Sequence, residues 1–220
     1  MAPRHYASPI RDAQLGRTRD RLLATTYELL AAGGLDALTL PKVAQAAGFS
    51  VPTVYRHFPT LDDLLRGFLL WIRPQLGQTA DRLLGIRAVD LPRLPIENFA
   101  RYEQHAAVLQ ALIESRAWNQ IRVASMSDRA ARGAEVLREV APKWPAGDLE
   151  AVAGAIYVLN SPQAWRWMRE TWGLDSPRAA RAASWAIKAL IAALPESRGL
   201  GSAPKPRVAR RRPRSKRSPQ

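Results

Sequence analysis

Between Thr39 and Thr60 the chain concentrates side chains suited to holding a polyanion: Thr39, Lys42, Ser50, Thr53, Tyr55, Arg56, His57 and Thr60. Hydroxyls, an imidazole and a lysine donate to phosphate oxygens, and a guanidinium also pairs with the guanine edge in a major groove. Val51, Pro52 and the methyl of Thr53 add apolar contacts of the kind that recognise thymine. The same residue types give little support to catalysis. The histidines His5, His57 and His105 are scattered, cysteine is absent, and neither a glycine-rich phosphate loop nor a metal-spaced cluster occurs. No catalytic residue, metal site or cofactor is therefore expected, and the chain reads as a non-enzyme.

These side chains need short helices to present them. Thr39 is placed to cap a first helix over 40–46, and Ser50 to cap a second over 51–58. Gly48 lies between them, where a tight turn demands a positive φ. Pro52 falls in the first turn of the second helix, where a missing amide costs little. Val43, Ala44, Ala47 and Val54 are small enough for two helices to cross closely. With Val54 inward, Val51, Pro52, Thr53, Tyr55, Arg56 and His57 face outward. A longer helix, expected over 17–32 and stopped by Gly33 and Gly34, precedes this pair. A fourth begins after Thr60, which can cap the amide of Asp63, and its stripe of Leu61, Leu64, Leu65, Phe68, Leu69 and Ile72 continues to Pro74.

The run Gly48, Phe49, Ser50, Val51, Pro52, Thr53, Val54, Tyr55, Arg56, His57, Phe58, followed by Asp62, Asp63 and Leu64, resembles the recognition helix and fourth helix of the tetracycline-repressor (TetR) family. The resemblance spans residues 17–70, and Leu61 stands where many members carry a lysine. It implies an all-α chain: a flexible N-terminal arm over 1–16, a helix-turn-helix DNA-binding domain over 17–77 with its motif at 40–59, and a helical ligand-binding and dimerisation domain over 78–195. The implied function is sequence-specific transcriptional regulation: a repressor released from a palindromic operator by a small, largely apolar effector. Double-stranded operator DNA, the effector and a second copy of the chain are the implied partners.

The remaining sequence is helical by periodicity, with helices expected over 97–118, 127–140, 148–172 and 176–194 and a kink or break at Pro162. All seven tryptophans lie outside the helix-turn-helix. Within the implied ligand domain, Tyr102, His105, Asn119 and Tyr157 are candidate polar anchors, and Trp71, Trp118 and Met126 candidate walls. The last two helices resemble the family's dimerisation pair. Ala182, Ala186, Ala189 and Ala193 would allow close approach there, and Trp165, Met168, Trp185 and Leu190 would supply buried area.

The formal charge is +14, but nine of the 33 Lys and Arg residues lie beyond Glu196, where no acid occurs. The sequence over 196–220 is expected to be a basic, disordered tail that attracts polyanions. A second reading therefore makes the chain a non-specific nucleic-acid or membrane-surface adaptor acting through that tail. The tail has few apolar residues, Leu200 and Val208 among them, and no cysteine to be lipidated, so no membrane partner is expected. No signal peptide or membrane span is evident, which points to a cytoplasmic, nucleoid-associated protein in a bacterium.

Overall fold

The computed structural model describes residues 9–77 and 85–201, with side chains from Ala13 onward, and the described residues form helices and no strands. The helices are α1 (Pro9–Gly33), α2 (Leu40–Ala47), α3 (Val51–His57), α4 (Leu61–Ile72), α5 (Arg93–Gln104), α6 (Ala106–Ile113), α7 (Arg116–Ala124), α8 (Met126–Arg138), α9 (Ala146–Leu159), α10 (Pro162–Glu170) and α11 (Ser176–Ala193). The first eight residues of the expected arm and residues 202–220 of the expected tail lie outside the described residues.

Helix α1 begins at Pro9, well ahead of the expected start at Arg17. Residues 13–17 are exposed and bury no stripe, so no apolar period marks them, although Ala, Gln, Leu and Arg are good helix formers. Arg19 belongs to this helix, its guanidinium 4.5 Å from the centre of the Phe58 ring.

The helix expected over 97–118 is three helices. His105 breaks it at φ −117°, ψ 25°, and Ser115 breaks it again in extended backbone, its hydroxyl accepting the Trp118 N–H at 3.1 Å. The apolar run through Leu109 and Leu112 hid that serine cap. Pro162 acts as expected: α9 ends at Leu159, Ser161 caps the amide of Ala164, and Pro162 opens α10. Past α11, Trp144 Nε1 donates to the carbonyls of Leu194 and Ser197, and Asp148 accepts the amide of Leu200. The chain is thus held against α9 beyond the point where the tail was expected to start.

One core joins the N-terminal helices to the body. Leu22, Leu30, Val43, Val54, Phe58, Leu64, Phe68 and Ile72 are continuous with Phe99, Tyr102, Leu109, Leu112 and Trp165. Helix α4 packs against both α1 and α7, and α1 against α6. Tyr27 Oη lies 2.9 Å from His105 Nδ1, so a polar contact also crosses this boundary. A second core under α8 and α9 is built on Leu137, Trp144, Leu149 and Ile187.

Gly67 sets how closely α3's exit approaches α4. A Cβ there would stand 2.8 Å from Phe58 Cε1 and 2.9 Å from an Arg19 nitrogen, and the Phe58 ring is fully buried. Gly67→Ala is expected to lower unfolding free energy by about 1–3 kcal/mol through overpacking, measured by denaturant titration. Restored stability is expected in Gly67→Ala combined with Phe58→Leu.

Candidate nucleic-acid interface and ligand cavity

Helices α2 and α3 are fixed in place by local bonds that their sequences supply. Thr39 Oγ1 accepts the amide of Lys42 at 3.3 Å and Ser50 Oγ that of Thr53 at 3.4 Å. Gly48 takes φ 73°, ψ 30°, the left-handed conformation that closes α2. Thr60 Oγ1 accepts the amide of Asp63 and donates to its carboxylate, fixing the start of α4. Beneath these caps Val43, Ala44, Ala47 and Val54 are buried to within 1% of complete, which leaves α3 one direction in which to face.

Outward lies a continuous polar and apolar surface. Lys42, Ser50, Pro52, Arg56 and Thr60 are exposed, as are Val51 and Tyr55, and Thr53 is half-buried with its hydroxyl 2.8 Å from that of Ser50. His57 departs from this pattern. It is half-buried beside Phe58, and its Nε2 is buried without a hydrogen-bond partner. Burial first, then the charges of Arg56 and Arg19, lower its pKa, so the ring is neutral at pH 7. Leu61, at the position that is often lysine, packs half-buried on the core. Exposed Gln45 on α2 and Arg21 on α1 extend the face, Arg21 standing over the Phe49 ring at 5.6 Å. Sequence reasoning missed both, since neither lies on the recognition helix and only the crossing of α1, α2 and α3 brings them near it.

A cavity of about 290 Å³ lies among the end of α4, the segment over 86–98, α8, α9 and the start of α10. Leu91, Leu94, Leu137 and Ile156 supply apolar walls, and Arg73, Arg129, Arg132, Asn98, Tyr102, Tyr157 and Asn160 the polar lining. Asn98 donates to the Asn160 side chain at 3.2 Å, and Tyr102 Oη donates to the Asn160 carbonyl. Met126 lines a small adjoining pocket together with Tyr157.

The other candidate ligand residues lie elsewhere. Trp71 is half-buried against Phe68, with ring centres 5.8 Å apart. His105 is committed to Tyr27, Trp118 belongs to the core, and Asn119 is exposed on α7. The three arginines were not anticipated, because Arg73 comes from α4's end and Arg129 and Arg132 from α8, and no spacing in the sequence links the first to the other two.

Of the residues expected at a dimer surface, Trp165 is fully buried within the protomer, its Nε1 donating to Ser176, and Met168 packs half-buried on the core. Trp165 is core because α10 is short and turns this face onto α5 and α11. Ala182, Trp185, Ala189 and Ala193 are exposed on α11, with Ala186 and Leu190 half-exposed beside them, and Trp185 is 73% exposed.

A capped helix-turn-helix with an open recognition helix, carried on a helical body, defines a DNA-binding transcriptional regulator. Residues 22–67 match the model of the tetR family of bacterial regulatory proteins. NalD of Pseudomonas aeruginosa, described as the secondary repressor of the MexAB-OprM multidrug efflux pump, is similar in structure. Its TM-score is 0.61 at 19% identity, covering 81% of this chain and 96% of that one. A transcriptional regulator from Rhodococcus sp. Rha1 gives 0.56 at 18% identity, with the same coverage of 81% and 96%. At these identities the likeness is one of fold. No curated protein sequence matches the chain, and no described helix is long and apolar enough to cross a membrane.

Burial also lowers the pKa of His105, as it does that of His57. An unfolded histidine takes up its proton near pH 6.5, whereas these two resist it when folded. Their contribution to stability is complete above that pH and is lost as pH falls through their folded values. The melting temperature is expected to drop between pH 7 and 5, and a His57→Gln, His105→Gln double variant should show a flatter profile in scanning calorimetry.

Proposed function

We propose that the chain binds a palindromic operator as a homodimer and is released from it by a small effector in the cavity beside α4. The observation that carries this reading is the place of α4: its capped start follows the recognition helix, and Arg73 at its other end lines the cavity. An effector that favours one setting of α4 must change operator affinity by the same coupling free energy that the operator exerts on the effector, typically about 1–3 kcal/mol.

The outward stripe of α11 supports the dimer. Trp185, flanked by Ala182, Ala186 and Ala189, exposes apolar area of a kind that marks contact surfaces. A two-fold pair would set two recognition helices about 34–36 Å apart, one turn of DNA. Trp185→Glu is expected to yield monomers in sedimentation and to weaken operator binding, with the helix content unchanged.

Selection of genomic and random DNA fragments by the purified full chain, followed by sequencing, tests the reading directly. One enriched palindrome is expected, lost in Arg56→Ala and weakened in Tyr55→Phe. Uniform retention of all fragments would instead favour non-specific binding.

A further inference from the structure

The cavity has a charge that its apolar walls do not explain. Arg73, Arg129 and Arg132 all line it, and among the described residues no aspartate or glutamate does and none of the three forms an ion pair. Elsewhere several arginines are paired with glutamates: Arg87 with Glu139, Arg166 with both Glu114 and Glu170, and Arg169 with Glu103.

Arg73 and Arg129 are half-buried and close enough for their charges to repel, while Arg132 is exposed at the rim. Burial and the neighbouring Arg129 charge weaken Arg73's hold on its proton. Withdrawing like charges from water without a counterion is unfavourable, and an anion would reverse the sign of that contribution. Arg129 is also held in place: it donates to Tyr157 Oη at 3.0 Å, and its guanidinium lies 5.1 Å from the same ring's centre. That contact engages one of five donors and leaves the planar fork to meet a carboxylate or phosphate.

We propose that the cavity binds an amphipathic anion, with a carboxylate or phosphate head between Arg73 and Arg129 and a short apolar body along Leu94 and Ile156. This rests on the cavity being the effector site, and it adds a charge to an effector otherwise expected to be largely apolar. The volume of about 290 Å³ limits the body to a small one. Arg132 at the rim would draw the anion in. A head between Arg73 and Arg129 would tie the end of α4 to α8.

Titration calorimetry of the full chain with octanoate, octyl phosphate, octanol and octylamine tests the proposal, and the two anions show which head fits. One anion is expected to bind once per chain, at least tenfold more tightly than octanol. Arg73→Gln and Arg129→Gln should each lose tenfold or more for that anion while keeping octanol affinity and helix content. Their basic tail is intact, so a loss locates the site in the cavity. Should either variant unfold, Arg132→Gln at the exposed rim is expected to slow anion association without altering the fold. Equal binding of octanol, preference for octylamine, no binding by any probe, or anion binding untouched in the Arg73 and Arg129 variants would overturn the proposal. Measuring DNA affinity with the bound anion separates the two readings: selective anion binding without any change in DNA affinity sustains the anion site and removes the effector role.

Discussion

Burial of one stripe of α4 is the interaction on which the rest of the molecule depends. Leu64, Leu65, Phe68, Leu69 and Ile72 are all at least 97% buried. They face α1 on one side and α7 on the other, so the DNA-binding helices and the body share a wall rather than a linker. A connection made of packed side chains resists bending, since an interior at crystal-like density has no slack to absorb displacement. Whatever moves the end of α4 at Arg73 must therefore move its start at Thr60, next to the recognition helix, or break the core. The Tyr27–His105 contact reinforces the same boundary from α1.

Positive charge stands in two different settings in this chain, and burial separates them. On the outer face of α2 and α3, Lys42 and Arg56 stand in water, where long-range attraction to a polyanion costs nothing in desolvation. Around the cavity, Arg73 and Arg129 are partly withdrawn from solvent, a setting in which a fixed fork would select for shape as well as charge. Several arginines of the body that lie near neither site are paired with glutamates, as with Arg166 between Glu114 and Glu170. The net charge of the whole chain conveys none of this distribution.

The N-terminal helices α2 to α4 were legible in the sequence because their signals are local. Thr39, Ser50 and Thr60 each cap the helix that follows within three residues, and Gly48 turns the chain where its spacing indicates. The all-helical body was legible as well, and so was the break at Pro162. What escaped was set by distant contacts. Ser115 caps α7 just past the apolar stretch that ends at Ile113, and α1 continues N-terminally where it has no stripe to bury. Trp165 reads from its position as a surface anchor, yet it fills the core because Ser176 and Phe99 close over it. The cavity is the extreme case: Arg73 and Arg129 are 56 positions apart, and only packing makes them neighbours.

Helix α3 has only seven residues, a length at which an isolated helix in water scarcely persists. Here it is ordered before any encounter, by the Ser50 cap at one end, by Phe58 buried against Gly67 at the other, and by Val54 beneath. The entropy of forming it is thus lost during folding and not on contact with DNA. Docking then needs no coiling of α3 at the moment of arrival. Its speed is governed by diffusion and by attraction between charges, so association should respond to ionic strength far more than to anything that alters helix propensity in α3.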